Sequence, residues 1–123
     1  QYDVAGAYTF ESGVEAGHSL LSLPQPPSAI FTLNDDMAIG VMQAARERNL
    51  ELPRDLSVVG FDDLPMAARV WPNLTSVRLP IRDMGRMAAE KLLAPMQGLD
   101  PSTLKQPEVR PMLVVRHSAI PAA

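Results

Sequence analysis

The chain has 123 residues, a length that suits one domain or a large piece of one. At 46% hydrophobic and 20% charged it can bury a core, which excludes disorder over most of its length. The net charge is −3, and the 11 basic residues are scattered without a run or stripe, so these residues as they stand do not form a nucleic-acid surface.

There is no cysteine, which excludes disulfides, thiolate metal sites and a thiol nucleophile. No apolar stretch reaches the ~18 residues of a membrane span, and no signal peptide is visible. The sequence opens at Gln1 without Met and runs straight into strand-like residues, so it is read here as a fragment. That reading leaves room for an upstream address signal.

In chain order, Tyr2 to Tyr8 is short and partly apolar and predicts a strand. Glu11 to Leu23 predicts a helix with Val14, Gly17, His18 and Leu21 on one face, stopped by Pro24, Pro26 and Pro27. Ala29 to Leu33 is an apolar run between turn signals and predicts a buried strand. Asn34 can cap the next helix, with Asp35 and Asp36 favoured at the positive end of its dipole. That helix is expected to reach Arg48 with an apolar stripe of Ala38, Val41, Met42 and Ala45. Ser57 to Phe61 is β-branched and apolar, a strong buried-strand signal, closed by Asp62 and Asp63. Pro65 opens a short helix to about Val70. Leu74 to Leu79 predicts a strand, and Ile81 to Met96 a helix with Ile81, Met84, Ala88 and Leu92 in register. Gln97 to Glu108 reads as a polar loop, Arg110 to Arg116 as a last strand, and the Pro-Ala-Ala tail as frayed. Strands alternating with helices predict an α/β class with a mainly parallel sheet flanked by helices.

In open parallel sheets ligands bind beyond the carboxyl ends of the strands. That rule selects Tyr8, then Asn34 with Asp35, then Asp62 with Asp63. An aromatic face, an amide and carboxylates suit a sugar: the ring packs on C–H surface and the polar groups pair with hydroxyls. Each residue also has a plainer role. Asn34 can be only a helix cap, Asp62 or Asp63 can only cap the Pro65 helix, and Tyr8 can be a half-buried core tyrosine. His18 and His117 lack metal-site spacing, so no metal is expected. The acidic pairs lack a Gly-rich phosphate loop, and Glu11-Ser12-Gly13 lacks the pattern of a nucleophilic serine. The seven methionines fall mostly at helical core spacing and read as packing. No catalytic residue, metal or cofactor is expected.

The run from Ala29 to Leu93 resembles the C-terminal half of LacI/GalR-family regulators. An apolar strand leads to Asn-Asp and a Met-Ala-x-Gly helix. A loop then passes through Pro-x-Asp-x-Ser-Val-Val-Gly-Phe-Asp-Asp to Leu-Thr-Ser-Val. A helix with Gly85 and a closing MLVVRHS strand follow, and Phe10-Glu11-Ser12-Gly13 resembles the start of the family's preceding helix.

The resemblance implies a type I periplasmic-binding-protein-like fold, present here as a C-terminal lobe fragment. Residues 1–79 and 110–118 would belong to that lobe, and the helix over 81–97 would pack on the missing N-terminal lobe or, without it, on another apolar surface such as a second copy. It implies a cytoplasmic regulator whose small effector, of sugar or nucleobase class, binds between the lobes. Operator DNA would be bound only through an absent N-terminal helix-turn-helix. Asn34 and Asp62 match effector-bonding positions, and Tyr8 matches the site of an aromatic platform. Leu79 matches a cleft position that is polar in some members, and its apolar side chain departs from them. The family's side-by-side homodimer interface points to Ile39, Met42, Arg46 and Val70, with Met42 equally placed to be core. The alternative is a periplasmic sugar-binding protein of the same fold. An enzyme acting on sugars is the third class, and nothing in the sequence supplies its nucleophile or metal set.

Overall fold

The computed structural model describes residues 2–104 and 108–121. It divides into two compact units, one of residues 1–78 and 113–123 and one of residues 79–112.

The first unit holds α1 (Phe10–Leu21), β1 (Ala29–Phe31), α2 (Asp35–Glu47), β2 (Ser57–Phe61) and β3 (Thr75–Arg78), with a 3-10 turn at Pro65–Ala68. A last strand, β4 (Met112–Val114), completes a four-stranded sheet of order β1-β2-β3-β4. β1 pairs parallel with β2, Ile30 opposite Val58, and β2 pairs parallel with β3, Gly60 opposite Ser76. This is the mainly parallel α/β sheet expected from the alternation of strands and helices.

The core follows from the apolar pattern. Ala38, Val41, Met42 and Ala45 of α2 are all buried, as their 3.6-residue spacing predicts, against Ile30, Leu56, Val58 and Leu74. Asn34 caps α2, its side chain accepting from the Met37 N–H at 2.9 Å.

α1 buries a different face from the predicted one. Gly13, Ala16, Gly17 and Leu20 are inside, and Val14, His18 and Leu21 are only half-buried. The reason is how close α2 lies. A Cβ on Gly13 would collide with the Met37 backbone, and one on Gly40 with the Phe10 carbonyl. Contact at backbone range selects the small-residue face over the apolar one. Thr9 caps α1 in a reciprocal box with Ser12.

Tyr2–Tyr8 is not a strand. A cavity of about 540 Å³, lined by Tyr2, Val4, Gly6, Ala29, Phe31 and Leu33 among others, lies between this segment and β1 at the sheet edge. No backbone group of this segment pairs with a strand among the described residues.

The chain end is tied under the amino ends of β2 and β3 by small polar side chains. Ser118, fully buried, donates to the Val58 carbonyl at 2.6 Å and accepts from the Thr75 N–H at 2.8 Å. Thr75 Oγ1 accepts from the Arg116 N–H at 2.9 Å.

In the second unit α3 (Ile81–Leu93) is followed by 3-10 turns at Ala94–Gln97 and Pro101–Thr103. No residue of α3 is buried; Ile81 and Leu92 are exposed. Arg86 pairs along the helix with Asp83 and Glu90. The expected final helix therefore ends at Leu93, where Pro95 tightens the next turn into 3-10 geometry. The loop predicted over 97–108 includes residues 105–107, which lie outside the described residues.

Candidate functional site

The carboxyl ends of β1 and β2 open onto the residues selected by the strand-end rule. Asn34 ends the β1 turn with both ends of its amide engaged. Its Oδ1 accepts from Met37 N–H, and its Nδ2 donates to the Tyr8 carbonyl at 2.9 Å. This bond ties the Tyr8 backbone to the Asn34 side chain. Tyr8 sits in the left-handed region (φ 59°) just before the α1 cap, and its ring is exposed. It is not a half-buried core tyrosine. Asn34 keeps one amide hydrogen and one lone pair free for another partner.

Beyond β2, two consecutive aspartates take opposite roles. Asp63 has a buried carboxylate held by two arginines, 2.5 Å from Arg78 Nη2 and 2.6 Å from Arg116 Nη2. Arg78 Nε also donates to it at 2.6 Å. Arg116 meets Asp63 Oδ1 as an ion pair. Burial pushes the Asp63 carboxyl up, but the guanidiniums of Arg116 and Arg78 outweigh it and hold it below the ordinary aspartate value. Asp62 is exposed and has no protein side chain bonded to its carboxylate among the described residues. Neither aspartate caps the Pro65–Ala68 turn, whose amino end has no side-chain cap.

The two strand ends are joined through Asp35, which follows Asn34. Asp35 is fully buried and bonds to Leu64 N–H and to Ser76 Oγ–H. Burial raises its carboxyl above the ordinary value, Ser76 and Leu64 lower it in part, and the nearby charges of Asp62 and Asp63 raise it further. Tyr8, Asn34 and Asp62 therefore lie along one sheet edge, linked by the backbone of α2 and this buried carboxylate. Phe31 and Phe61 meet edge-to-face there, with ring centres 6.5 Å apart, and Phe31 is exposed.

Sequence reasoning missed Ser76, Arg78 and Arg116, and it offered Asp35 as a helix-dipole carboxylate or a strand-end ligand group rather than as a buried tie. Ser76 carried no clear signal, since its strand, Thr75–Arg78, holds a threonine and an arginine as well. The arginines carried none, because their partner is distant in sequence.

The residues selected for a dimer face lie apart from this edge. Met42 is buried in the core at 3% exposure, as its place on the α2 stripe requires. Ile39 and Val70 are partly buried against that core, and Arg46 is exposed, donating to the Trp71 carbonyl at 3.0 Å. Among the described residues no cluster of three or more His, Asp or Glu could hold a metal ion, and no helix is long and apolar enough to cross a membrane.

A family profile described as a periplasmic binding protein-like domain matches residues 1–119. The chain belongs to that family, in the form carried by LacI-type regulators. It is 45% identical over 94 residues to the probable HTH-type transcriptional repressor ExuR of Bacillus subtilis (strain 168), covering 76% of this chain and 28% of the relative. It is 38% identical over 120 residues to the ribose operon repressor of Escherichia coli (strain K12), covering 96% of this chain and 36% of the relative. Among solved structures it is similar to a LacI family transcriptional regulator from Bifidobacterium animalis subsp. lactis DSM 10140. That match has TM-score 0.88 and 34% identity, and covers 98% of this chain and 44% of the other. The chain thus spans about a third of the length of these curated relatives.

Proposed function

We propose that this chain is part of the effector-sensing domain of a LacI-type transcription regulator, and that it senses a small effector of sugar or nucleobase class. The observation that carries the reading is the division of labour after β2. Asp63 is neutralised inside the fold by Arg78 and Arg116, while Asp62 stays free at the same sheet edge as Asn34 and the exposed Tyr8 ring. A free carboxylate, a half-free amide and an aromatic face supply paired acceptors, a donor and a C–H-packing surface for a sugar.

In this reading the protein has no catalytic role and works in the cytoplasm, in line with relatives named as repressors. Operator DNA is contacted through a segment outside these residues. The regulator is a homodimer whose face includes Ile39, Arg46 and Val70, with Met42 beneath them. The apolar stripe of α3 packs on the first lobe of the full-length protein.

The test is a thermal-shift screen of the full-length regulator against D-ribose, D-glucose, D-glucuronate and adenosine, followed by calorimetry. A bound ligand raises stability by mass action. With whichever compound binds, Asp62→Ala is expected to lower affinity at least about ten-fold, the loss of one hydrogen-bonded charge. Undiminished affinity would sink the assignment.

A further inference from the structure

Asp35 is a carboxylate with no exposure at all, a state aspartate rarely takes without specific partners. Its two oxygens serve one turn. Oδ2 accepts from the Leu64 N–H at 2.6 Å. Oδ1 accepts from the Ser76 hydroxyl at 2.5 Å, and Ser76 Oγ, equally buried, accepts from the Asp63 N–H at 3.1 Å. Two consecutive amides beyond β2 are thus held by one carboxylate, one directly and one through a hydroxyl.

The turn they hold is strained. Asp62 and Asp63 both have positive φ, 102° and 54°. Successive non-glycine residues in that region are uncommon, and the surrounding structure must over-determine them. The strand before the turn is also shaped to this end. A Cβ on Gly60 would run into Asp35 Oδ1, so glycine at that point leaves room for the carboxylate. A carboxylate needed only for the helix dipole could stay in solvent, as Asp36 does in the same first turn of α2.

We infer that Asp35, acting with Ser76, is a positioning residue for the effector site. The pair holds the Asp62–Asp63 turn in its left-handed conformation, so that Asp63 points to its arginines and the Asp62 carboxylate stands free beyond β2. The inference rests on reading Asp62 as an effector contact, but its structural half is measurable without any ligand.

The experiment uses the 123-residue chain, with Asp35→Asn and Ser76→Ala read by NMR. Asparagine keeps the shape of Asp35 but has one acceptor oxygen for two donors, so with that oxygen on the Leu64 N–H the Ser76 hydroxyl hydrogen loses its acceptor; alanine removes the relay to Asp63 outright. In Ser76→Ala the Asp63 amide is expected to exchange about ten-fold faster, the loss of one buried hydrogen bond. The three-bond HN–Hα couplings of Asp62 and Asp63 are expected to move away from wild type in both variants. The Val58 amide, bonded to the Ser118 carbonyl on the far side of the sheet, is expected to keep its protection. Unchanged couplings and protection at residues 62–64 overturn the positioning role. So does a uniform loss that includes Val58, which marks general destabilisation. In the full-length regulator, Asp35→Asn is then expected to weaken whichever of the four screened compounds binds, and Asp62→Ala to weaken it more. Altered couplings with normal affinity for Asp62→Ala defeat the effector reading and leave the turn result standing, so the two failures are distinguishable.

Discussion

Asn34 tests most directly how much of the site edge is scaffold. Its amide makes two bonds, the cap to Met37 N–H and the strut to the Tyr8 carbonyl, each 2.9 Å long. Removing a helix cap costs about 1 kcal/mol. Removing a partly exposed neutral hydrogen bond costs about 1 kcal/mol more. Asn34→Ala is therefore expected to lose about 2 kcal/mol, or roughly 8 °C in Tm at about 4 °C per kcal/mol. Asn34→Asp keeps an acceptor at the cap and loses only the donor to Tyr8, so about 1 kcal/mol is expected to return. Urea unfolding followed by far-UV circular dichroism at neutral pH measures both. If Asp is as unstable as Ala, the cap is not what Asn34 contributes. If Ala lies within about 0.5 kcal/mol of wild type, neither bond stabilises the fold and the residue is free for ligand alone.

Two further outcomes follow from the buried polar groups. Ser118→Ala leaves the Thr75 N–H without its acceptor inside the protein and is expected to cost about 1–3 kcal/mol by the same urea titration; a neutral result would mean that the chain end does not tie the sheet. Asp35 and Asp63 should impose opposite pH dependences. Asp35 titrates above its ordinary 3.8 in the folded state, so its folded form binds the proton more tightly. Its contribution is therefore fullest below 3.8 and is lost as pH rises through the raised folded value. Asp63 titrates below 3.8, so its contribution is present above 3.8 and is lost as pH falls through the lowered folded value. Unfolding titrations of wild type against Asp35→Asn and Asp63→Asn should show the wild-type advantage shrinking with rising pH in the first case and with falling pH in the second. The same sign for both would contradict the environments described.

The buried Asp63 carboxylate also ties two parts of the chain together beyond the turn. Asp63 links the end of β3, through Arg78, to the segment after β4, through Arg116. A force on the Asp62 carboxylate thus acts on a turn whose next residue clamps β3 to the segment after β4. In the proposed regulator this turn is where ligand contact and the strand framework meet.

The sequence by itself determined the local elements. Asn34 followed by Asp35 and Asp36 specifies a helix start because the cap and the dipole act within one turn. Ser57–Phe61 specifies a buried strand, and the α2 stripe its inward face, because both depend only on neighbouring residues. The strand-end rule selected Asn34 and Asp62 at strands that form, and the family pattern around Asn34-Asp35 and Phe61-Asp62-Asp63 agreed with it; Tyr8 was selected as the end of a strand that does not form, and it is tied to Asn34 by a hydrogen bond instead. Only the tertiary structure decided which aspartate stays free. Asp62 and Asp63 are chemically identical in the sequence, and they differ because Arg78 of β3 and Arg116 of the segment after β4 reach one of them. The same holds for Asp35, whose burial depends on Ser76 across the sheet and on the space left at Gly60. It holds for α1 as well, where close contact with α2 selected a glycine and alanine face that hydrophobic periodicity does not reveal. The Tyr2–Tyr8 segment has strand-like composition, yet composition does not supply a partner, and a strand without one has nowhere to place its hydrogen bonds.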